Sequence, residues 1–206
     1  MPKIVDPGAR RLAVTDAAFR VIRRDGLEGA TLRAIADEAG LAIGSVRHYF
    51  TSHTELTLFA LDEFTDRVTG RILAHVERLN DPARGTASVR RRDVEDLLGE
   101  FLPLDDARRD EIVVWLAFVT AARTRPELHP RALRLYEGMR TIVGRVLARA
   151  DAAGRLVSGL DPALETERLC AVLDGLAVNA VLHPDRLPPD TQRAVLGRHL
   201  DTLLAD

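Results

Sequence analysis

The sequence predicts an all-α protein of about nine helices, in which a compact three-helix unit precedes a larger helical bundle. Three observations carry this. Apolar residues recur at spacings of three and four along most of the 206 residues, no credible strand pattern occurs, and glycine or proline punctuates the periodic stretches. Composition agrees, with alanine, leucine and arginine abundant and aromatics at only 4%.

Residues 1–8 hold two prolines and a glycine and read as an arm carrying Lys3. A first helix follows over 9–25, with Val14, Ala17, Ala18, Val21 and Ile22 as its apolar stripe and Gly26 at the C-cap. Its arginines 10, 11, 20, 23 and 24 are expected on solvated surface. Thr31 caps a second helix whose inner face is Leu32, Ile35, Ala36 and Ala39, and Gly40 ends it in a tight turn to Ala42. The third helix, 43–50, turns Val46 and Phe50 inward and leaves Gly44, Ser45, Arg47, His48 and Tyr49 outward. Ser52 and Glu55 form a capping box in which the serine takes the amide three residues on and the glutamate reaches back. The fourth helix then runs to about residue 79 on Leu58, Leu61, Phe64, Val68, Ile72 and Val76.

Beyond a loop at 80–88, further helices are expected over 89–101, 106–124, from between Pro126 and Pro130 to about 153, 161–182 and 190–204. Pro103 breaks the fifth, Gly154 ends the seventh, and Asp161-Pro162 supplies an N-cap and first-turn proline for the eighth.

The outward set of the third helix contains hydrogen-bond donors and a cation but no carboxylate. A short helix of that kind suits the DNA major groove, which admits one helix and offers it base edges and flanking phosphates. Gly44 and Ser45 permit close approach, and the amides opening the next helix can hold a phosphate. The run Gly40-Leu41-Ala42-Ile43-Gly44-Ser45-Val46-Arg47-His48-Tyr49-Phe50-Thr51-Ser52, preceded by Thr31-Leu32-Arg33-Ala34-Ile35-Ala36, resembles the DNA-binding domain of the TetR family of bacterial transcriptional regulators. That resemblance implies phosphate contacts at Thr31, Arg33, Arg47, Tyr49 and His53, and places Ser45, Val46 and His48 towards the bases. Ile43, Arg47 and His53 stand where many members carry a lysine, a tyrosine and a lysine. Blocks at 101–104, 111–118 and 173–176 are similar to the C-terminal domain of the BetI-like subgroup. The expected organisation is a DNA-binding domain over 9–56 and a ligand-binding and dimerisation domain over 57–206.

Charge is weakly consistent with that division. Residues 1–50 carry Lys3 and seven arginines against six acids, a surplus of +2, whereas 51–206 carry 21 basic and 25 acidic residues, a balance of −4. The single cysteine, Cys170, rules out an internal disulfide and reads as a buried small hydrophobe. His48 and His53 are too isolated for a metal site, and His129, His183 and His199 have no ligand partners nearby in sequence, so neither a metal nor another cofactor is expected. With no signal core and no membrane span, a cytoplasmic location is the default expectation.

The eighth helix is apolar nearly all round, which calls for a second subunit as well as a core. Leu169, Val172, Leu173, Leu176 and Ala180, with Val195, Leu196, Leu200 and Leu203 of the ninth helix, are assigned to a homodimer interface; an ordinary central helix is the other reading. Trp115, Phe118, Tyr136 and Met139 are candidates for an effector cavity, although each can be plain core. Asp174 and Asn179, polar on an apolar helix, need partners and join that candidate set. The function read from these features is a regulator, a repressor in the first instance, whose dimer binds a palindromic operator in double-stranded DNA and is released by a small molecule. The alternative is a helical-bundle enzyme or ligand-binding protein without DNA binding, which no nucleophile-base pair, phosphate loop or dinucleotide motif supports.

Overall fold

The computed structural model describes residues 7–80 and 87–205. The expected arm at 1–8 and the loop at 80–88 fall largely outside the described residues. Nine α-helices occur among them: α1 (Pro7–Gly29), α2 (Leu32–Glu38), α3 (Ile43–Tyr49), α4 (His53–Asn80), α5 (Ala87–Leu98), α6 (Asp106–Ala122), α7 (His129–Ala152), α8 (Pro162–Leu182) and α9 (Pro189–Asp201). A 3-10 turn, Gly99–Phe101, extends α5, so the expected fifth helix tightens in its last turn. The only extended pairing among the described residues is a single antiparallel bridge, Leu156 with Leu204. No described helix is long and apolar enough to cross a membrane.

Contacts divide the chain into two compact units, one of Met1–Asp66 and Val113–Ala132, the other of Arg67–Ile112 and Leu133–Asp206. In the first, α1 breaks at Gly26, whose φ of +73° only glycine takes without strain. Val14, Ala17 and Val21 of α1 are buried, as are Ile35 and Ala36 of α2, Val46 of α3, and Phe50, Leu56 and Leu61 after it. Each fully buried side chain of Val or Leu size contributes roughly 1.5–3 kcal/mol, enough to fix α2 and α3, which at seven residues each could not stand alone. Of the α1 arginines expected on solvated surface, Arg20, Arg23 and Arg24 are exposed, whereas Arg10 and Arg11 are half-buried. The Arg11 guanidinium lies 4.9 Å from the Phe50 ring centre and 4.4 Å from that of Phe59. Arg20 and Arg24 hold the two oxygens of Glu38 at 2.7 and 2.9 Å, tying α1 to α2.

In the second unit, Leu97 and Leu98 of α5, Val143 and Leu147 of α7, Leu169 and Leu173 of α8, and Leu196 and Leu200 of α9 are buried. The polar centre of this unit is Glu100, only 5% exposed. It accepts from Arg71 Nε at 2.7 Å and bonds His75 Nε2 at 3.1 Å, while Arg71 also reaches Glu111.

The α8 and α9 side chains assigned to a dimer interface must be corrected. Leu169, Leu173, Leu176, Ala180, Leu196, Leu200 and Leu203 are buried within the single chain, and Val172 is half-buried; of the nine only Val195 is exposed. With α8 apolar on two sides, the richer side packs inward. Leu164, Ala171, Gly175 and Leu182 remain exposed, with Leu164 and Leu182 at 63% and 58%. Gly175 lies mid-helix with open space around its Cα, so nothing in its own chain demands a glycine there.

Candidate nucleic-acid interface

The turn between α2 and α3 is built as its residues dictate. Thr31 Oγ1 accepts the Ala34 amide at 3.1 Å to start α2. At the other end Leu41 N donates to Ala36 O at 2.9 Å and Gly40 N to Asp37 O at 3.2 Å, a closure that requires the left-handed φ of +64° at Gly40. Ala42 then opens α3, its carbonyl accepting the Ser45 amide at 2.9 Å. Ser52 Oγ takes the Glu55 amide at 3.1 Å as expected, but the glutamate reaches one residue further back, to the Thr51 amide at 2.8 Å and its hydroxyl at 2.7 Å.

On α3 the outward side carries Gly44, Ser45, Arg47 and His48, all exposed, with Tyr49 half-exposed. The His48 and Tyr49 rings meet edge to face, 5.2 Å apart at 75°. Gly44 has open space where a side chain would be, so its glycine leaves room for an outside partner. Val46 requires a correction: it is 0% exposed and belongs to the core, so it cannot reach a base edge. The period of the helix, which turns it towards Phe50, prevails over its place in the resembling motif.

Four of the assigned DNA-facing residues converge. Thr31, Arg33, Arg47 and His53 border one recess of about 680 Å³, together with Glu28 and Arg125. Three guanidiniums stand against one carboxylate in this recess, a local surplus of positive charge. Arg125 pairs with Glu28. It follows α6, far along the chain from α3, and only tertiary packing brings it here, so no local pattern marks it. His53 is half-buried; burial, and then the charge of Arg125, lower its pKa against the raising effects of the Ala30 backbone and Glu28. At neutral pH it therefore offers a neutral ring and not a further cation.

The six effector candidates do not share a setting. Trp115 and Phe118 belong to the first unit, where Phe118 is fully buried core and Trp115 half-buried. The other four belong to the second. Tyr136 is exposed and donates its hydroxyl to Glu167 at 3.1 Å, and Met139 is buried nearby in sequence. Asn179 is exposed and spends its amide on Gly175 O, one turn back, at 2.7 Å. Asp174 is half-buried, and burial raises its carboxyl above the usual range. The second unit also contains a cleft of about 1170 Å³ between α4, α5, α7 and the segment after α9, which none of the six borders. Among the described residues no group of three His, Cys, Asp or Glu is placed to hold a metal ion. The Cys170 thiol is buried and pushed up to about 11, which keeps it protonated and unreactive.

Residues 14–58 match the family of bacterial regulatory proteins described as the tetR family, and residues 90–205, over half of the chain, match the C-terminal region of BetI-type transcriptional repressors. The chain belongs to the TetR family of bacterial transcriptional regulators. This TetR-family regulator is 34% identical to the HTH-type transcriptional regulator PksA of Bacillus subtilis (strain 168), over 100% of this chain and 95% of that protein. It is 29% identical to the regulator BetI of Rhizobium meliloti (strain 1021), over 88% of this chain and 83% of that one. Among solved structures, a transcriptional regulator of Rhodococcus sp. Rha1 superposes with a TM-score of 0.78 at 30% identity, covering 94% of this chain and 95% of its own. A regulator of Saccharomonospora viridis, solved with choline, shares the TetR fold with a TM-score of 0.84 at 21% identity, covering 97% of this chain and 100% of its own.

Proposed function

We propose that this TetR-family regulator is a homodimeric repressor that binds a palindromic operator through α3 and leaves it when a small molecule occupies its second unit. The observation that carries the reading is the outward side of α3: donors and a guanidinium, no carboxylate, and a neighbouring recess where Arg33 and Arg47 gather with Thr31. Arg33, Arg47 and Thr31 hold phosphates, with Tyr49 beside them; Ser45 and His48 face the bases, and Gly44 lets the helix approach closely. His53, its ring neutral, borders the same phosphate-facing recess.

Residues 9–56 are the DNA-reading domain, and 57–206 receive the effector and the second subunit. The exposed apolar strip of α8, with Ala194 and Val195 of α9, is what the second copy covers. Its central Gly175 suits a close crossing of two helices. Two α3 helices about 34–36 Å apart then read the two halves of a palindrome, and an effector that prefers another spacing lowers affinity. Choline bound to the Saccharomonospora viridis regulator, and triclosan bound to SmeT, a repressor of similar fold, support a small-molecule effector. The protein acts by binding, without catalysis, in the cytoplasm.

Selection of genomic fragments retained by the purified protein tests this. Recovery of a palindrome, protected over both half-sites, is the expected result. Retention without sequence preference, or a 22.7 kDa species alone in sedimentation at micromolar concentration, overturns it.

A further inference from the structure

The cleft in the second unit has a composition that restricts what can occupy it. Its floor is the open side of a hydrophobic cluster in which Ile72, Leu97 and Val146 are buried and Val76, Leu79, Val94 and Ile142 only partly so. Those partly covered side chains leave apolar area in contact with water, at about 25 cal/mol per Å², until something apolar fills the space. Among the described residues its border carries Arg91, Arg145, Arg149 and Arg155, with Arg90 beside them, and two acids, Glu95 and Asp201. Both acids are already held by Arg91, at 2.7 and 2.9 Å. Arg149 donates to the side-chain oxygen of Asn80, a neutral partner. Arg145 and Arg155 have no carboxylate paired to them among the described residues.

We infer that this cleft is an effector site for an amphipathic anion, an aliphatic chain ending in a carboxylate or phosphate. The tail lies on Val76, Leu79, Val94 and Ile142, and the head meets the guanidiniums of Arg145 and Arg155, whose planar donors match either oxyanion. The same border disfavours a quaternary ammonium: among the described residues no aromatic side chain lines the cleft to supply a π face, and the guanidiniums repel a cation. The inference rests on the proposed effector response only for its consequence at DNA, because binding in the cleft can be measured without DNA.

The test is titration calorimetry of the full chain with three probes of one tail length, each below its micelle concentration: dodecanoate, dodecyl phosphate and dodecyltrimethylammonium. The expected result is one anion bound per chain, no binding of the ammonium, and at least tenfold weaker anion binding in an Arg145→Ala/Arg155→Ala variant. Circular dichroism checks that this variant, altered only at the cleft border, stays folded. The tighter of the two anions identifies the head group. Equal binding of ammonium and anion, absence of anion binding, or anion binding unchanged in the folded variant overturns the inference. Fragment selection on DNA can fail while these titrations succeed, and the reverse, so the two failures are distinguishable.

Discussion

Arg131 grips Asp62 with both arms of its guanidinium, Nε to Oδ1 and Nη2 to Oδ2, each at 2.8 Å. The pair joins the first turn of α7 to α4 within the first unit, and the hydrogen bonds that Arg131 donates to Asp62 raise the Arg131 pKa. Bidentate geometry favours it, but side chains 27% and 45% exposed are screened by water. A double-mutant cycle with Asp62→Ala and Arg131→Ala, followed by urea unfolding, should return a coupling of about 0.5–1 kcal/mol.

Val46 and His48 are two residues apart on α3 and should respond in opposite ways. Val46 has no exposure, so Val46→Ala leaves a cavity beside Phe50 and costs roughly 2 kcal/mol of stability. His48 is exposed, and His48→Ala should leave stability within about 0.5 kcal/mol while changing the preferred bases of the operator. Denaturation curves for both variants, paired with selection from a randomised operator, check each half.

Arg47 tests the phosphate role. Removing one phosphate contact per subunit should reduce the slope of log affinity against log salt by about 2 for a dimer on its operator, with little change in base preference. Binding isotherms at several salt concentrations for Arg47→Ala measure this, and an unchanged slope would remove Arg47 from the interface.

The element order was legible because each boundary has a local chemical cause: Thr31, Ser52 and Asp161 each cap a helix through their side-chain oxygens, and Gly40 and Gly154 take positive φ. The outward side of α3 followed from spacing alone. What local pattern could not supply was the choice between two apolar sides of α8, since Leu169 and Leu182 look alike until a core is assembled. Arg125 and the arginine border of the cleft were equally hidden, because residues that meet only in three dimensions leave no periodic trace.

Acid should weaken the fold in two separable stages. His53 and His199 are both lowered, chiefly by burial, so the folded state prefers the neutral ring. Their contribution is full above about pH 6.5 and is lost as pH falls towards their depressed folded values. Unfolding at pH 7.5 and 5.5 should show a decline that His53→Gln and His199→Gln together flatten.

Glu100 governs the second stage. Burial by itself would raise its carboxyl, but the hydrogen bond from Arg71, the charge of Arg108 and the bond from His75 together hold it below the usual range. Glu100→Gln keeps the shape and removes the charge, leaving Arg108 to Asp105 and Arg71 to Glu111 alone. Breaking a buried pair costs 3–5 kcal/mol; because Arg71 is about a third exposed, a loss of about 2 kcal/mol at pH 7 is expected. A depressed carboxylate stabilises above its unfolded pKa of about 4.5 and ceases to do so as pH falls through its folded value. The gap between wild type and Glu100→Gln in urea unfolding should therefore be constant above about pH 5 and close as pH falls below the unfolded value of about 4.5 and through the lower folded one.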